Sequence, residues 1–196
     1  LEFRRVLFRS SPTTAAHVAG EFGDDLLIID GGACDVGIES TIVDCTRGAP
    51  VLLRPGVLTP QQLSTACGVA VRLPAVVDVD APRASGTLAS HYAPSAQVRL
   101  MDAQEMQAAL NHLSTAEPTS VAVWSRQPMQ ISGTSNVRVI QSPMPQDPAA
   151  CAHVLFAQLR AFDQHGVTQI WVERPPVAPE WDGVLDRLTR AATPAG

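Results

Sequence analysis

The residues best suited to chemistry lie in two neighbouring stretches, Val36-Gly37-Ile38-Glu39-Ser40-Thr41-Ile42-Val43-Asp44 and Val51-Leu52-Leu53-Arg54-Pro55-Gly56. Small hydroxyls on a β-rich stretch, with one arginine just ahead of a Pro-Gly turn, suit the holding of a carboxylate or a phosphate. Arg54 is the strongest single candidate, because a guanidinium is a planar fork that grips oxyanions in pairs and keeps its charge. Its other reading is a surface salt bridge with a nearby Asp or Glu. The place of Arg54 after an apolar strand and before Pro55-Gly56 favours a site, since the turn fixes where the side chain points. Ser40 and Thr41 either bond a polar substrate or satisfy neighbouring backbone groups. Ser11 sits at a predicted helix start, where N–H groups and the dipole attract anions, or it simply caps. His91 and Tyr92 either meet a ligand or anchor a Pro-rich connection. Asp30-Gly31-Gly32 is a phosphate-cradling loop or a common turn, and Glu173-Arg174-Pro175-Pro176 with Trp181 an interdomain surface or packing. His17, His112, His153 and His165 have no partner at metal or triad spacing and read as structural. No catalytic base or nucleophile is named by these residues.

A chain of 196 residues holds one large or two small domains. Its 45% hydrophobic and 17% charged content is that of a soluble globular protein, which is expected to be cytoplasmic. The net charge is −5 and all 14 basic residues are scattered arginines, so there is no footprint for non-specific nucleic-acid binding. A small polyanion in one pocket fits this balance. Cys34, Cys45, Cys67 and Cys151 form no CxxC pair and have no His at zinc-ligand spacing. They read as reduced, mostly buried thiols, with neither a disulfide framework nor a metal site. No apolar run approaches the roughly 20 residues that cross a bilayer. Leu1–Ser10 carries arginines and an apolar run but no small-residue cleavage site, so it is not read as a targeting peptide. It looks like translated adapter sequence joined to a broken reading frame, the alternative being a genuine edge strand.

The elements that must position these residues follow from caps and periodicity. Ser11-Pro12-Thr13-Thr14 reads as a helix start, with Pro in the first turn, leading into Ala15–Phe22 and ending at Gly23. Leu26–Ile29 predicts a buried strand closed by a tight turn. Alternation over Ile38–Asp44 predicts a half-buried strand, and Pro50–Arg54 another. Thr59-Pro60 opens a short helix. A Pro-, Ala-, Ser- and Gly-rich linker covers residues 74–95. Beyond it, strands at Val98–Met101, Val121–Trp124, Val137–Ile140 and Ile170–Val172 alternate with helices. The first of these helices starts at an Asp102/Glu105 capping box. The second runs from about Asp147 to His165 and ends at Gly166. The third runs from Trp181 to Ala192, with Leu185, Leu188 and Ala192 on one face. Strands alternating with helices imply a parallel sheet covered on both sides, a small Rossmann-like domain over residues 96–196. No G-x-G-x-x-G follows any strand, so NAD is not predicted.

Taken in order, Ser-Pro-Thr, Asp-Gly-Gly, Gly-Ile-Glu-Ser-Thr-Ile-Val-Asp, Leu-Arg-Pro-Gly, Ser-His-Tyr-Ala-Pro and a terminal Asp-Arg-Leu-Thr-Arg-Ala-Ala resemble the two-domain threonylcarbamoyl-AMP synthase family. The resemblance implies an α/β chain in which residues 11–73 are the C-terminal part of a YrdC-like catalytic domain, followed by the linker and the Rossmann-like domain. It implies ATP, L-threonine and bicarbonate as substrates, with Mg²⁺ accompanying ATP. By residue match, Ser40 would contact threonine, Ser11 and Arg54 would contact ATP, and Tyr92 would help enclose the nucleotide. Threonylcarbamoyl-AMP would pass to tRNA-modifying transferase proteins. The family's Lys and Arg motif and the Pro-Ser-Ala-Asn segment ahead of Ser-Pro-Thr have no counterpart here, and the chain has no lysine. The expectation is therefore an N-terminally truncated synthase that binds ATP weakly, does not turn over alone, and is poorly soluble where sheet edges are uncovered. The alternatives are a YrdC-like carbamoyl-transfer domain of hydrogenase maturation and a non-catalytic nucleotide-binding or interaction module.

Overall fold

A computed structural model describes residues 11–74, 82, 84, 94–113, 119–131 and 137–193. Thr14 opens α1 (Ala15–Phe22) by accepting a hydrogen bond from the His17 N–H at 3.2 Å, so Pro12 precedes the first turn and does not lie within it. Gly23, at φ 68°, closes the helix. The expected strand at Leu26–Ile29 does not form: Leu27 is 88% and Ile29 90% exposed. An apolar run becomes a buried strand only when another element covers it, and none of the described elements does.

β1 (Ile42–Asp44) pairs antiparallel with β2 (Val51–Arg54), in the register Ile42↔Arg54, Val43↔Leu52 and Asp44↔Val51. The strand expected from Ile38 is thus present only in its last three residues. Gly37 turns the chain at φ 82°, and Ile38 plugs into the core of the second half of the molecule instead of alternating. Asp44 ties the β1–β2 connection together by accepting from the Thr46 N–H at 2.9 Å, the Thr46 hydroxyl at 2.6 Å and Arg47 Nε at 2.6 Å. α2 (Pro60–Cys67) starts at a Thr59/Gln62 capping box and ends at left-handed Gly68.

The second half contains β3 (Gln97–Met101), α3 (Ala103–Asn111), β4 (Thr119–Ser125), β5 (Val137–Pro143), α4 (Pro148–Gln164), β6 (Gln169–Glu173) and α5 (Asp182–Ala192). The four strands form a parallel sheet in the order β3-β6-β4-β5. Parallel neighbours need crossovers, and these lay helices over the sheet. Along β4, Val121 and Val123 pack on one face with Met106 and Leu110 of α3, while Ala122 and Trp124 pack on the other with Leu155, Phe156 and Leu188. The predicted capping box at Asp102/Glu105 is present, Asp147 caps α4 by accepting from the Ala150 N–H, and Gly166 follows α4 at φ 66°. The buried face of α5 differs from the predicted one: Gly183, Val184, Arg187, Leu188 and Ala191 point inward. Leu185 is only partly buried, while Arg187 turns in towards Glu39 and Pro55 of the first half.

Cys34, Cys45 and Cys67 are exposed, against the expectation of mostly buried thiols; they lie on loops or at the end of α2, where nothing packs over them. Cys151 is buried in α4, and burial pushes its thiol up to about 12. No described helix is long and apolar enough to cross a membrane. The segment Leu1–Ser10, together with His91 and Tyr92, lies outside the described residues.

Candidate functional site

Arg54 is the last residue of β2, and the sheet register sets it opposite Ile42, beside the chain entering β1. It is 5% exposed, so it is a buried residue and not a surface one. Its Nε and Nη2 donate to the Ser40 carbonyl at 3.2 and 3.0 Å. Ser40 itself is exposed. The turn that follows Arg54 is locked against the same stretch, since a Cβ on Gly56 would lie 2.5 Å from Thr41 N. Only glycine fits there. The Thr41 hydroxyl donates to Leu58 O at 3.2 Å, which gives it the backbone-satisfying role.

The Ser11 hydroxyl donates to Glu39 Oε1. Burial raises the Glu39 carboxyl, but hydrogen bonds from Ser11 and Arg187 outweigh it and leave its pKa below the usual value. Arg187 is completely buried. Its Nε donates to Glu39 Oε2 at 2.9 Å, Nη2 to Glu39 O at 3.1 Å, and Nη1 to Pro55 O at 2.6 Å and Asp186 Oδ2 at 2.9 Å. Ser11, Ser40 and Arg54 are thereby joined through Glu39 and Pro55 into one bonded cluster. Tyr92 lies outside the described residues and is not placed by it.

Glu39 and Arg187 were missed as members of the cluster by reasoning from sequence. One signal pointed to the second. Positions 184, 187, 188 and 191 follow helical spacing, and three are apolar, so Arg187 is a charge set into an apolar stripe.

The remaining candidates take structural places. Gly32 N–H donates to Asp30 Oδ1 at 2.9 Å in an exposed side-chain turn. Buried Glu173 accepts from Arg126 N at 2.7 Å and Nε at 3.0 Å, within the sheet domain. Trp181 packs in the same core cluster as Ile38, as a buried seam residue between the two halves. His17 Nδ1 lies 3.2 Å from the Thr13 hydroxyl, and His153 Nδ1 lies 2.9 Å from Asp35 O. His112 and His165 end α3 and α4. A cavity of about 180 Å³ runs along the seam, between Ile38, Gly56 and Thr59 on one side and Ala152, Gly183 and Val184 on the other.

What this arrangement can do is hold an anionic or amino-acid ligand against Ser40, with a fixed cation behind it. A family described as "Threonylcarbamoyl-AMP synthase, C-terminal domain" matches residues 58–193, and one described as "Telomere recombination" matches residues 8–56. The chain is 32% identical to the threonylcarbamoyl-AMP synthase of Schizosaccharomyces pombe, over 94% of this chain and 50% of that protein. It is 27% identical to that of Bacillus subtilis, over 94% of this chain and 54% of that protein. Among solved structures it is similar to Pyrococcus abyssi Sua5 complexed with L-threonine, with a TM-score of 0.73 and 31% identity over 93% of this chain and 54% of that one. The chain spans about half the length of the curated relatives it matches. With the C-terminal domain model matching more than half of its residues, the chain belongs to the threonylcarbamoyl-AMP synthase family.

Proposed function

We propose that this chain carries threonine- and nucleotide-contacting segments of an L-threonylcarbamoyladenylate synthase, a cytoplasmic nucleotidyltransferase serving tRNA modification. The reaction forms a carbamate from L-threonine and bicarbonate; the carbamate oxygen attacks the α-phosphate of ATP, and pyrophosphate leaves. The observation that carries this reading is the convergence of Ser11, Ser40 and Arg54 on one cluster, in a chain similar to a synthase seen with L-threonine.

Ser40, exposed beside the buried guanidinium, is the threonine contact, and Ser11 and Arg54 contact ATP. The two bonds to Ser40 O hold the Arg54 guanidinium beside Ser40 and set its orientation. Adenylyl transfer asks little covalent work of side chains and much of orientation and charge stabilisation. Mg²⁺ enters on the phosphates as part of the nucleotide substrate. Tyr92 helps enclose that nucleotide, and the adenylate passes to tRNA-modifying transferase proteins.

The chain alone does not turn over: it offers no lysine to the phosphates, and all 14 of its basic residues are arginine. The test is pyrophosphate release by the purified chain together with ATP binding to the parent and to Arg54→Ala. Expected are no release, weak ATP binding, and loss of that binding in the variant. Release that needs both threonine and bicarbonate would refute the inactivity, and ATP binding indifferent to Arg54 would refute the site.

A further inference from the structure

We propose that Arg187 of α5 is a positioning residue, through which the parallel-sheet domain sets the geometry of both substrate-contacting segments, Glu39-Ser40 and Arg54-Pro55. One guanidinium reaches two stretches distant in sequence and its own neighbour, Asp186. It holds the Glu39 carboxylate and carbonyl, the Pro55 carbonyl and Asp186, while the other Glu39 oxygen holds Ser11. Asp186 is in turn gripped by Arg190, whose Nε and Nη2 lie 3.0 and 2.8 Å from its Oδ1. The chain of charges thus runs from α5 into the front half of the molecule.

The position itself argues for geometry over stability. Arg187 lies between Val184 and Leu188 on a stripe that builds the apolar core. A leucine there would extend the core without the desolvation cost of burying a cation, and buried ion pairs often break even against apolar replacements. What an apolar residue cannot supply is a planar fork that fixes two carbonyls and a carboxylate at once. Pro55 directly follows Arg54, and Glu39 directly precedes Ser40, so holding their main chains sets where both side chains start. The link to substrate rests on Ser40 and Arg54 contacting threonine and ATP as proposed above; the bracing does not.

The test compares the whole chain as parent, Arg187→Lys, Arg187→Met and Glu39→Gln. Hydrogen exchange is followed by peptide, alongside thermal melting and binding of ATP and L-threonine. Arg187→Lys keeps the charge and loses the fork. Exchange at residues 39–42 and 53–56 is expected to rise about tenfold while peptides of β4 and β6 stay within about twofold. Binding of ATP and L-threonine by the variants should weaken in step, relative to the parent. Should both Arg187 variants fail to fold, Glu39→Gln removes the charge from the other end of the pair and should give the same selective loosening. Unchanged exchange in the two segments, or equal acceleration throughout the sheet, would overturn the proposal. A parent that binds neither ATP nor L-threonine would refute the functional reading, while the exchange contrast still decides the role of Arg187.

Discussion

Arg54 donates two N–H groups to a single carbonyl, that of Ser40, and so couples a buried guanidinium to an exposed serine. Arg54→Lys keeps charge but cannot bridge with a fork. It should lower ATP affinity by about tenfold or more, measured by equilibrium titration against the parent. Asp44 gives a pH signature. Its carboxyl is held down from 3.8 to about 2 by the Thr46 hydroxyl, the Thr46 N–H and Arg47. A depressed folded pKa contributes stability above the unfolded value, and that contribution fades as pH falls from 3.8 towards 2. Glu39, also lowered, loses stability in the same direction. Urea denaturation of Asp44→Asn should therefore show a flatter decline than the parent across that window. Equal slopes would remove the carboxylate from the account. At this scale the sequence was partly legible: a strand and a Pro-Gly turn single out Arg54, which the structure buries against the Ser40 carbonyl. Glu39 and Arg187 were hidden because a carboxylate and a guanidinium are recognised as a pair only once folding has brought them together.

Among the elements, Gly37 is the tightest joint. It sits at φ 82°, and a Cβ there would lie 2.3 Å from His153 O in α4. Gly37→Ala meets both backbone strain and a clash with backbone, and should cost about 1–3 kcal/mol or more in urea unfolding. Leu188, fully buried in α5, should cost roughly 2–5 kcal/mol as Leu188→Ala. A loss below 1 kcal/mol, the order expected for an exposed site, would mean that α5 is not packed as seen. Helices and sheet strands of the second half were readable because their caps and alternation are local. Two elements were not fully so. Leu26–Ile29 has strand composition, but a strand also needs a covering neighbour, which composition does not reveal. The inward face of α5 was found only in part: Leu188 is on it, but apolar residues recur at helical spacing both at 184, 188 and 191 and at 185, 188 and 192, and packing on the sheet selects the first set.

The whole molecule is two unequal parts sharing one seam. Ile38 enters the core of the sheet domain beside Trp181 and Val184, Arg160 Nη1 holds Glu21 Oε1 at 2.6 Å, and Gly183 packs so close that a Cβ would lie 2.5 Å from Gly56 O. Residues 37–56 should therefore lose exchange protection together with the sheet domain as denaturant rises, not ahead of it. The parallel sheet was legible at this scale from strands alternating with helices. The seam was not, because its contacts join residues more than a hundred positions apart, such as Glu39 and Arg187. The most direct measurement of the central claim is a titration of the isotopically labelled chain with L-threonine, followed residue by residue by NMR. Saturable shifts centred on Ser40 and spreading to Glu39 and Arg54, with the sheet domain away from α5 unmoved, are predicted. No saturable shift at Ser40, or shifts confined to the parallel-sheet domain, would contradict it.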